Sequence, residues 1–286
     1  MSAPRSPGDV VARRYRLEAH LGSGAAAEVW RAFDGTLRAE VALKILHEAY
    51  AGSEVARRFL REAQAAAQLR SLHVVQVLDQ GMTESGTPFI AMELLEGETL
   101  AARLERDGRM MPADVCRVLS HVGKAAAKAH AMGIVHRDLK PHNVFLVRDD
   151  DEEITKVFDF GIAKLTRGTG MATSSTATGS LIGTPEYMSP EQASCGKVDF
   201  RTDLYAMGIV AFECLTGHVP FETEDVLEII ERVMHGELAR PSAFAPVPPA
   251  FEAWFERATR LDPNARFGSA REMVAALERA LLGPGA

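Results

Sequence analysis

The sequence predicts an α+β chain of two lobes: a small N-terminal lobe with an antiparallel sheet and one main helix, and a larger, mainly helical C-terminal lobe. Three observations predict it. Short apolar runs that alternate or carry β-branched residues, with turns between them, fill the chain to about residue 93. Beyond Gly97 the apolar residues change to helical spacing. The length, 286 residues, is near two units by the usual prior and is enough to bury a core without disulfide staples.

The elements follow in order. Residues 1–13, rich in Pro and Ser at their start, read as a flexible leader. Tyr15–Leu21, Glu28–Phe33 and Glu40–Leu46 read as three antiparallel strands. Glu54–Arg70 is rich in Ala, Arg, Glu and Gln, lacks Gly and Pro, and reads as a helix. Val74–Asp79 and Phe89–Glu93 are two further strands, the second after a Gly-Thr-Pro turn. The N-terminal lobe is thus placed at 14–93 and the C-terminal lobe at 94–282. In the latter, Val115, Val118, Leu119, Val122, Ala126 and Ala129 recur at three and four, the mark of a long amphipathic helix. Asp203–Thr216 is apolar nearly all round, as a helix buried inside a lobe must be. Thr223–His235, Pro249–Thr259 and Ser269–Leu282 read as amphipathic helices. The acidic run Asp149–Glu153 reads as a solvated hairpin tip, because neighbouring side chains cannot all point at one ion.

Composition excludes several classes. With 47% hydrophobic and 25% charged residues, and Gly 23 and Pro 14, the chain is neither collagen-like nor of low complexity. A formal charge of −7 with no basic block argues against general nucleic-acid binding. Cys116, Cys195 and Cys214 form no CxxC, so they read as buried free thiols in a reducing compartment. The N-terminus lacks the apolar core of a signal peptide. The most apolar stretch, Leu204–Leu215, contains Glu213 and falls short of the roughly 20 residues of a membrane span. The expectation is a cytoplasmic protein without a membrane partner. Only seven of the 32 cations are lysine, so a lysine inside a motif asks why arginine would not serve.

Gly22-Ser23-Gly24-Ala25-Ala26-Ala27 lies between two expected strands, where glycines let the backbone close over a phosphate; a plain hairpin turn is the other reading. It does not lead into a helix, which excludes the dinucleotide fingerprint and the Walker loop. Lys44 follows on an apolar strand, where a buried ammonium needs a partner. Glu62, in the middle of the next helix, is the available counter-charge; at 4 Å and an effective dielectric of 20 the pair gains about 4 kcal/mol. Val135-His136-Arg137-Asp138-Leu139-Lys140-Pro141-His142-Asn143 sets two polar clusters between apolar ends, so a loop presents Asp138, Lys140 and Asn143. Sixteen residues after Asn143, Asp159 ends an apolar run before Phe160-Gly161. Asn143 and Asp159 are oxygen donors suited to Mg²⁺, whose shell substrate phosphates complete.

In this order the residues resemble the signature set of the protein kinases: the Gly-rich loop, the strand lysine, the His-Arg-Asp loop with its Asn, and Asp-Phe-Gly. Gly183-Thr184-Pro185-Glu186-Tyr187-Met188-Ser189-Pro190-Glu191 matches the end of the activation segment. Asp203 and Arg266 fall where the family keeps its buried-helix acid and the arginine that pairs with Glu191. The resemblance runs from about Tyr15 to Leu281 and is strongest to the bacterial, eukaryotic-type (Hanks-type) serine/threonine kinases. It implies one catalytic domain over 14–282.

The resemblance also implies roles. Asp138 would orient the incoming hydroxyl and accept its proton. Lys140 and Thr184 would mark the serine/threonine class, with Thr184 meeting Asp138 and Lys140. Lys44, anchored by Glu62, would hold the α- and β-phosphates of ATP. Asn143 and Asp159 would hold Mg²⁺, or Mn²⁺ in its place. Leu21, Gly22 and Gly24 would contact the nucleotide, with Val29 and Ala42 covering the adenine from above and Phe145 from below. Met92 would guard the rear pocket, with the Glu93 and Leu95 backbones at the hinge. Thr176 and Thr178 align with autophosphorylation sites, whose phosphate Arg137 would engage. Protein substrates bearing Ser or Thr, and a transient homodimer for autophosphorylation in trans, are the partners implied.

Three positions depart from the family. Ala27 replaces the third glycine and would cost about 1–2 kcal/mol if the site needed positive φ. Ser189 replaces an alanine, a change expected to matter little. Ser71-Leu72-His73 stands where a His-Pro pair is usual. Two other functions use the same architecture: a pseudokinase scaffold and a small-molecule phosphotransferase. Retention of Lys44, Glu62, Asp138, Lys140, Asn143 and Asp159 weighs against the first, and the Gly-Thr-Pro-x-Tyr docking segment against the second.

Overall fold

The antiparallel pairing expected of the N-terminal runs is what the computed structural model of the chain shows. It describes residues 5–149, 152–160 and 184–283, apart from the side chains of Glu62 and Asp149. The chain divides between Glu96 and Gly97 into two units.

The first unit is a six-stranded antiparallel sheet in the order β1–β2–β3–β4–β6–β5. Its strands are β1 (Val10–Val11), β2 (Tyr15–Ser23), β3 (Ala27–Asp34), β4 (Ala39–Leu46), β5 (Val77–Met82) and β6 (Pro88–Glu93). Helix α1 (Glu54–Gln68) connects β4 to β5, capped by Ser53, whose hydroxyl accepts from Ala56 N–H. Period-two alternation sorts the side chains. Tyr15, Leu17, Trp30, Leu43 and Ile45 bury on one face. Ala27, Leu46 and Ile90 bury on the other against Ala56, Phe59 and Ala63 of α1.

One buried charge ties the β2–β3 end together. Asp34 accepts from Thr36 and Leu37 N–H and from both Nε and Nη2 of Arg14, whose Nη1 reaches Asp79 at 2.6 Å. The Arg14 guanidinium holds the Asp34 carboxyl below the usual carboxylate range, against the opposing effect of burial. A carboxyl lowered on folding stabilises above its ordinary pKa of about 3.9 and loses that contribution as pH falls through the lower folded value. The stability difference between wild type and Asp34→Asn is therefore expected to be largest near neutrality and to shrink in acid. Chemical denaturation from pH 7 to pH 3 checks this, and a pH-independent difference would contradict it.

The second unit opens with β7 (Gly97–Thr99), which pairs with β8 (Val144–Asp149), itself paired with β9 (Glu152–Val157). The Asp149–Glu152 pair places the acidic run at the end of the β8–β9 hairpin, and residues 150–151 lie outside the described residues. Gly97 has φ +145°, and a Cβ there would lie 2.0 Å from Leu146 O, so only glycine fits. The helices are α2 (Leu100–Asp107), α3 (Pro112–Ala131), α4 (Pro190–Ala193), α5 (Arg201–Thr216), α6 (Val226–His235), α7 (Pro249–Ala258) and α8 (Ala270–Leu282). Helix α5 is buried on every side, including Asp203, as its all-round apolar sequence requires. Helix α3 packs on α8 closely enough that a Cβ at Gly123 would meet Val274 Cγ2 at 2.6 Å. Among the described residues no helix is long and apolar enough to cross a membrane.

Several expectations need correction. The leader is not flexible throughout: Val10 and Val11 pair with Arg16 and Tyr15, Val11 is buried, and Arg5 bonds Glu28. Ala12 and Arg13, both at positive φ, make the tight turn that folds β1 back, and a two-residue strand carries too little pattern to be read. The strand expected at Val74–Asp79 begins at Val77 instead. Val74, an isolated bridge residue, and Val75 are buried between the turn at Ser71 and the strand, so their hydrophobicity reflects burial ahead of it. Cys116 and Cys214 are buried thiols, the former pushed up to about 11 by burial, but Cys195 is exposed on the loop after α4.

Candidate active site

In the second unit the loop after α3 is built around one carboxylate. Asp203, in the first turn of α5 and 1% exposed, accepts from His136 N–H at 2.9 Å, Arg137 N–H at 2.8 Å and His130 Nε2 at 2.7 Å. Two successive backbone donors thus point at one buried side chain, which fixes the path of the chain just before Asp138. His136 adds a second constraint. Its Nδ1 accepts from Asp138 N–H at 3.2 Å, so Nε2 carries the proton and donates to Phe158 O at 3.0 Å. Burial holds the His136 pKa down, which favours this neutral tautomer. Its ring lies 4.7 Å from that of Phe160, so the loop and the chain after β9 share one buried wall.

On this base the polar residues converge. Asn143 donates through Nδ2 to Asp138 O at 2.8 Å and to Asp138 Oδ2 at 3.3 Å. Lys140 Nζ lies 3.5 Å from Asp138 Oδ2 and donates to Thr184 Oγ1 at 3.0 Å. Phe158 N–H donates to Asn143 O at 3.1 Å, which brings the strand end before Asp159 beside the start of β8. Asp159 is held at φ +55°. Asp138, Lys140, Asn143 and Thr184, drawn from positions up to 46 residues apart in sequence, therefore form one cluster, with the backbone leading to Asp159 at its edge. The Asn143 amide N–H₂ is turned to Asp138, and its Oδ1 and the Asp159 carboxylate are oxygen donors of the kind that could hold Mg²⁺. Phe145 lies on β8, between Thr99 and Lys156.

The end of the segment is anchored separately. Tyr187 OH donates to Glu213, whose carboxyl burial pushes up. Arg266, fully buried, uses all five N–H donors: two to Glu191 at 2.8 and 2.9 Å and three to the carbonyls of Arg201, Arg260 and Leu261. Burial would push the Glu191 carboxyl up, but Arg266 and Thr202 outweigh it and hold it below the usual range. Ser189 is not the indifferent replacement expected: it is fully buried, and its hydroxyl lies 3.2 Å from that of Thr202.

In the first unit Lys44 sits on β4 between Val29 of β3 and Ile90 of β6, on the sheet face it shares with Ala42 and Leu46. Glu62 belongs to α1, and its side chain lies outside the described residues, as do Gly161, Thr176 and Thr178 altogether. Leu21 is 53% exposed at an irregularity in the β2–β3 pairing. Gly22 and Gly24 need glycine neither for φ nor for packing: a Cβ at Gly22 would meet nothing within 4 Å, and one at Gly24 only Ala27 O at 3.7 Å. Ala27 pairs with Leu46 inside β3 and is not at positive φ, so the strain foreseen there does not arise. Met92 and Leu95 are half-buried, and Glu93 N–H donates to Gln76 O.

The protein kinase domain family matches residues 15–276. The chain is 38% identical over 276 residues to the serine/threonine-protein kinase pkn3 of Myxococcus xanthus, covering 95% of this chain and 50% of that protein. It is 40% identical over 267 residues to PknL of Mycobacterium tuberculosis, covering 93% of this chain and 65% of that one. For PrkC of Bacillus subtilis the identity is 38% over 275 residues, covering 96% and 41%. The chain thus spans about half to two thirds of the first two of these relatives and less of the third. Among solved structures, the kinase domain of Mycobacterium tuberculosis PknI superposes with a TM-score of 0.76 at 27% identity, covering 97% of this chain and 100% of that one.

Proposed function

The chain belongs to the protein kinase domain family, in its bacterial Hanks-type serine/threonine branch, and from this premise we propose that it transfers the γ-phosphoryl group of ATP to Ser and Thr hydroxyls of proteins. The observation that carries the reading is the placement of Lys140 Nζ, with Asp138 Oδ2 at 3.5 Å and Thr184 Oγ1 at 3.0 Å. An incoming hydroxyl that hydrogen-bonds Asp138 is oriented by it and gives up its proton to that carboxylate. The ammonium beside it lies where negative charge develops on the transferred group. Thr184 orients Lys140 and carries the segment against which a protein substrate docks. Lys44 holds the α- and β-phosphates in this reading, and Asn143 and Asp159 hold Mg²⁺. Mg²⁺ bound there offsets charge on the phosphate oxygens. The bare Gly22 and Gly24 leave the backbone open to a phosphate.

Transfer of this kind asks for position and charge more than for covalent chemistry, and a cluster fixed by buried hydrogen bonds supplies both. Phosphorylation of Thr176 and Thr178 by the chain itself raises activity in this proposal, with Arg137 as the receiving cation. Burial holds the Arg137 pKa down against the opposing charge of Asp203, and its Nε has no hydrogen-bond partner among the described residues, so a phosphate there would add a charge-assisted bond.

Incubation with ATP, Mg²⁺ and casein, followed by mapping of the acceptor residues, tests the reading. Phosphate on Ser and Thr is expected; none on any protein would favour the scaffold alternative. After preincubation with ATP the wild type is expected to gain rate and a Thr176→Ala/Thr178→Ala variant is not. Equal rates at all times would remove the regulatory part.

A further inference from the structure

The peptide group that joins Arg137 to Asp138 is gripped at both ends. Its N–H, that of Asp138, donates to His136 Nδ1. Its carbonyl, that of Arg137, accepts from Gln192 Nε2 at 2.8 Å, across 55 residues of sequence. Arg137 sits at φ +65°, a region non-glycine residues avoid, so this peptide does not hold its orientation through local preference. The preceding N–H, that of Arg137, is fixed by Asp203. Gln192 supplies the remaining constraint, and it comes from the end of the activation segment rather than from α5.

Gln192 is itself oriented. Its Oε1 accepts from Ser189 N–H at 3.1 Å, with the Ser189 hydroxyl at 3.3 Å, so the amide cannot flip without setting donor against donor. Thr202 gives its proton to Glu191 Oε1 at 2.6 Å and so accepts from Ser189 Oγ at 3.2 Å. A continuous chain of bonds therefore runs from the Arg266–Glu191 pair through Thr202, Ser189 and Gln192 to the carbonyl beside Asp138.

We propose that Gln192 is a positioning residue for phosphoryl transfer, holding through the Arg137 carbonyl the peptide that aims the Asp138 carboxylate. The proposal rests on the kinase reading above. Gln192→Glu separates positioning from helix capping. The carboxylate still accepts from Ser189 N–H but turns lone pairs toward Arg137 O. With ATP, Mg²⁺ and casein, Gln192→Glu is expected to lose about tenfold in kcat, with KM for ATP and the melting temperature close to wild type. Wild-type kcat in Gln192→Glu would reduce Gln192 to a cap and overturn the proposal. Should Gln192→Glu fail to fold, Gln192→Met, similar in volume and without a donor, decides: the same kcat-selective loss supports positioning and wild-type kcat overturns it. A loss of kcat that follows the melting temperature in both variants assigns Gln192 to stability and also overturns it. A wild type that transfers no phosphate removes the kinase reading and this proposal with it, whereas an active wild type with an equally active Gln192→Glu removes the proposal alone.

Discussion

Arg266→Ala is expected to destabilise the protein by about 3–5 kcal/mol, the range for breaking a buried ion pair by removing one partner. Glu191 would remain buried with Thr202 as its chief remaining donor, and the carbonyls of Arg201, Arg260 and Leu261 would each lose a partner. The guanidinium also lies over the Tyr205 ring at 5.1 Å, a packing contact that alanine deletes. Arg266→Lys would not restore the site, because three donors on a flexible stem cannot reproduce a planar fork that meets five acceptors. Scanning calorimetry reads the loss as a fall in melting temperature of roughly 10 °C. The exposed Arg260–Glu256 pair serves as control: Arg260→Ala there is expected to change stability by less than about 1 kcal/mol. A comparable, small change at Arg266 would contradict the role assigned to it.

Asp138→Asn is expected to cost about 10²–10⁴ in kcat, the usual contribution of a positioned proton acceptor. The substitution is nearly isosteric, and the Asp138 side chain is 24% exposed, so the fold should survive it. The bond from Asn143 Nδ2 to the Asp138 backbone carbonyl does not involve the replaced group. What is lost is the carboxylate that faces Lys140 and that, in the proposed function, accepts the hydroxyl proton. Since the nucleotide phosphates are assigned to other residues, KM for ATP is expected to stay near wild type. Steady-state rates with casein check both quantities, and a variant within threefold of wild-type kcat would remove Asp138 from the proton transfer.

The legibility of the chain follows the physics of each element. Strands β2–β4 alternate between two buried faces, and α5 is buried all round, so period and hydrophobicity revealed them. Helix α2 is weakly marked in the sequence because Leu100 and Leu104 are its only buried residues; Thr99 as cap and Gly108 at φ +76° are its local signals. The polar cluster was legible as an ordered set of residue types, since Asp138, Lys140 and Asn143 share one loop. The constraints that orient it were not. Gln192 reaches Arg137 across 55 residues, and His130 reaches Asp203 across 73. No local pattern marks such pairs, because each is fixed by tertiary placement. The scarcity of lysine was a useful hint for Lys140, where the structure places a compact ammonium between a carboxylate and a hydroxyl.

The most direct measurement is the intact mass of the wild type and of Asp138→Asn after incubation with ATP and Mg²⁺. The wild type is expected to gain one or more phosphoryl groups and the variant none. No gain in the wild type, or equal gain in both proteins, would contradict the proposed function.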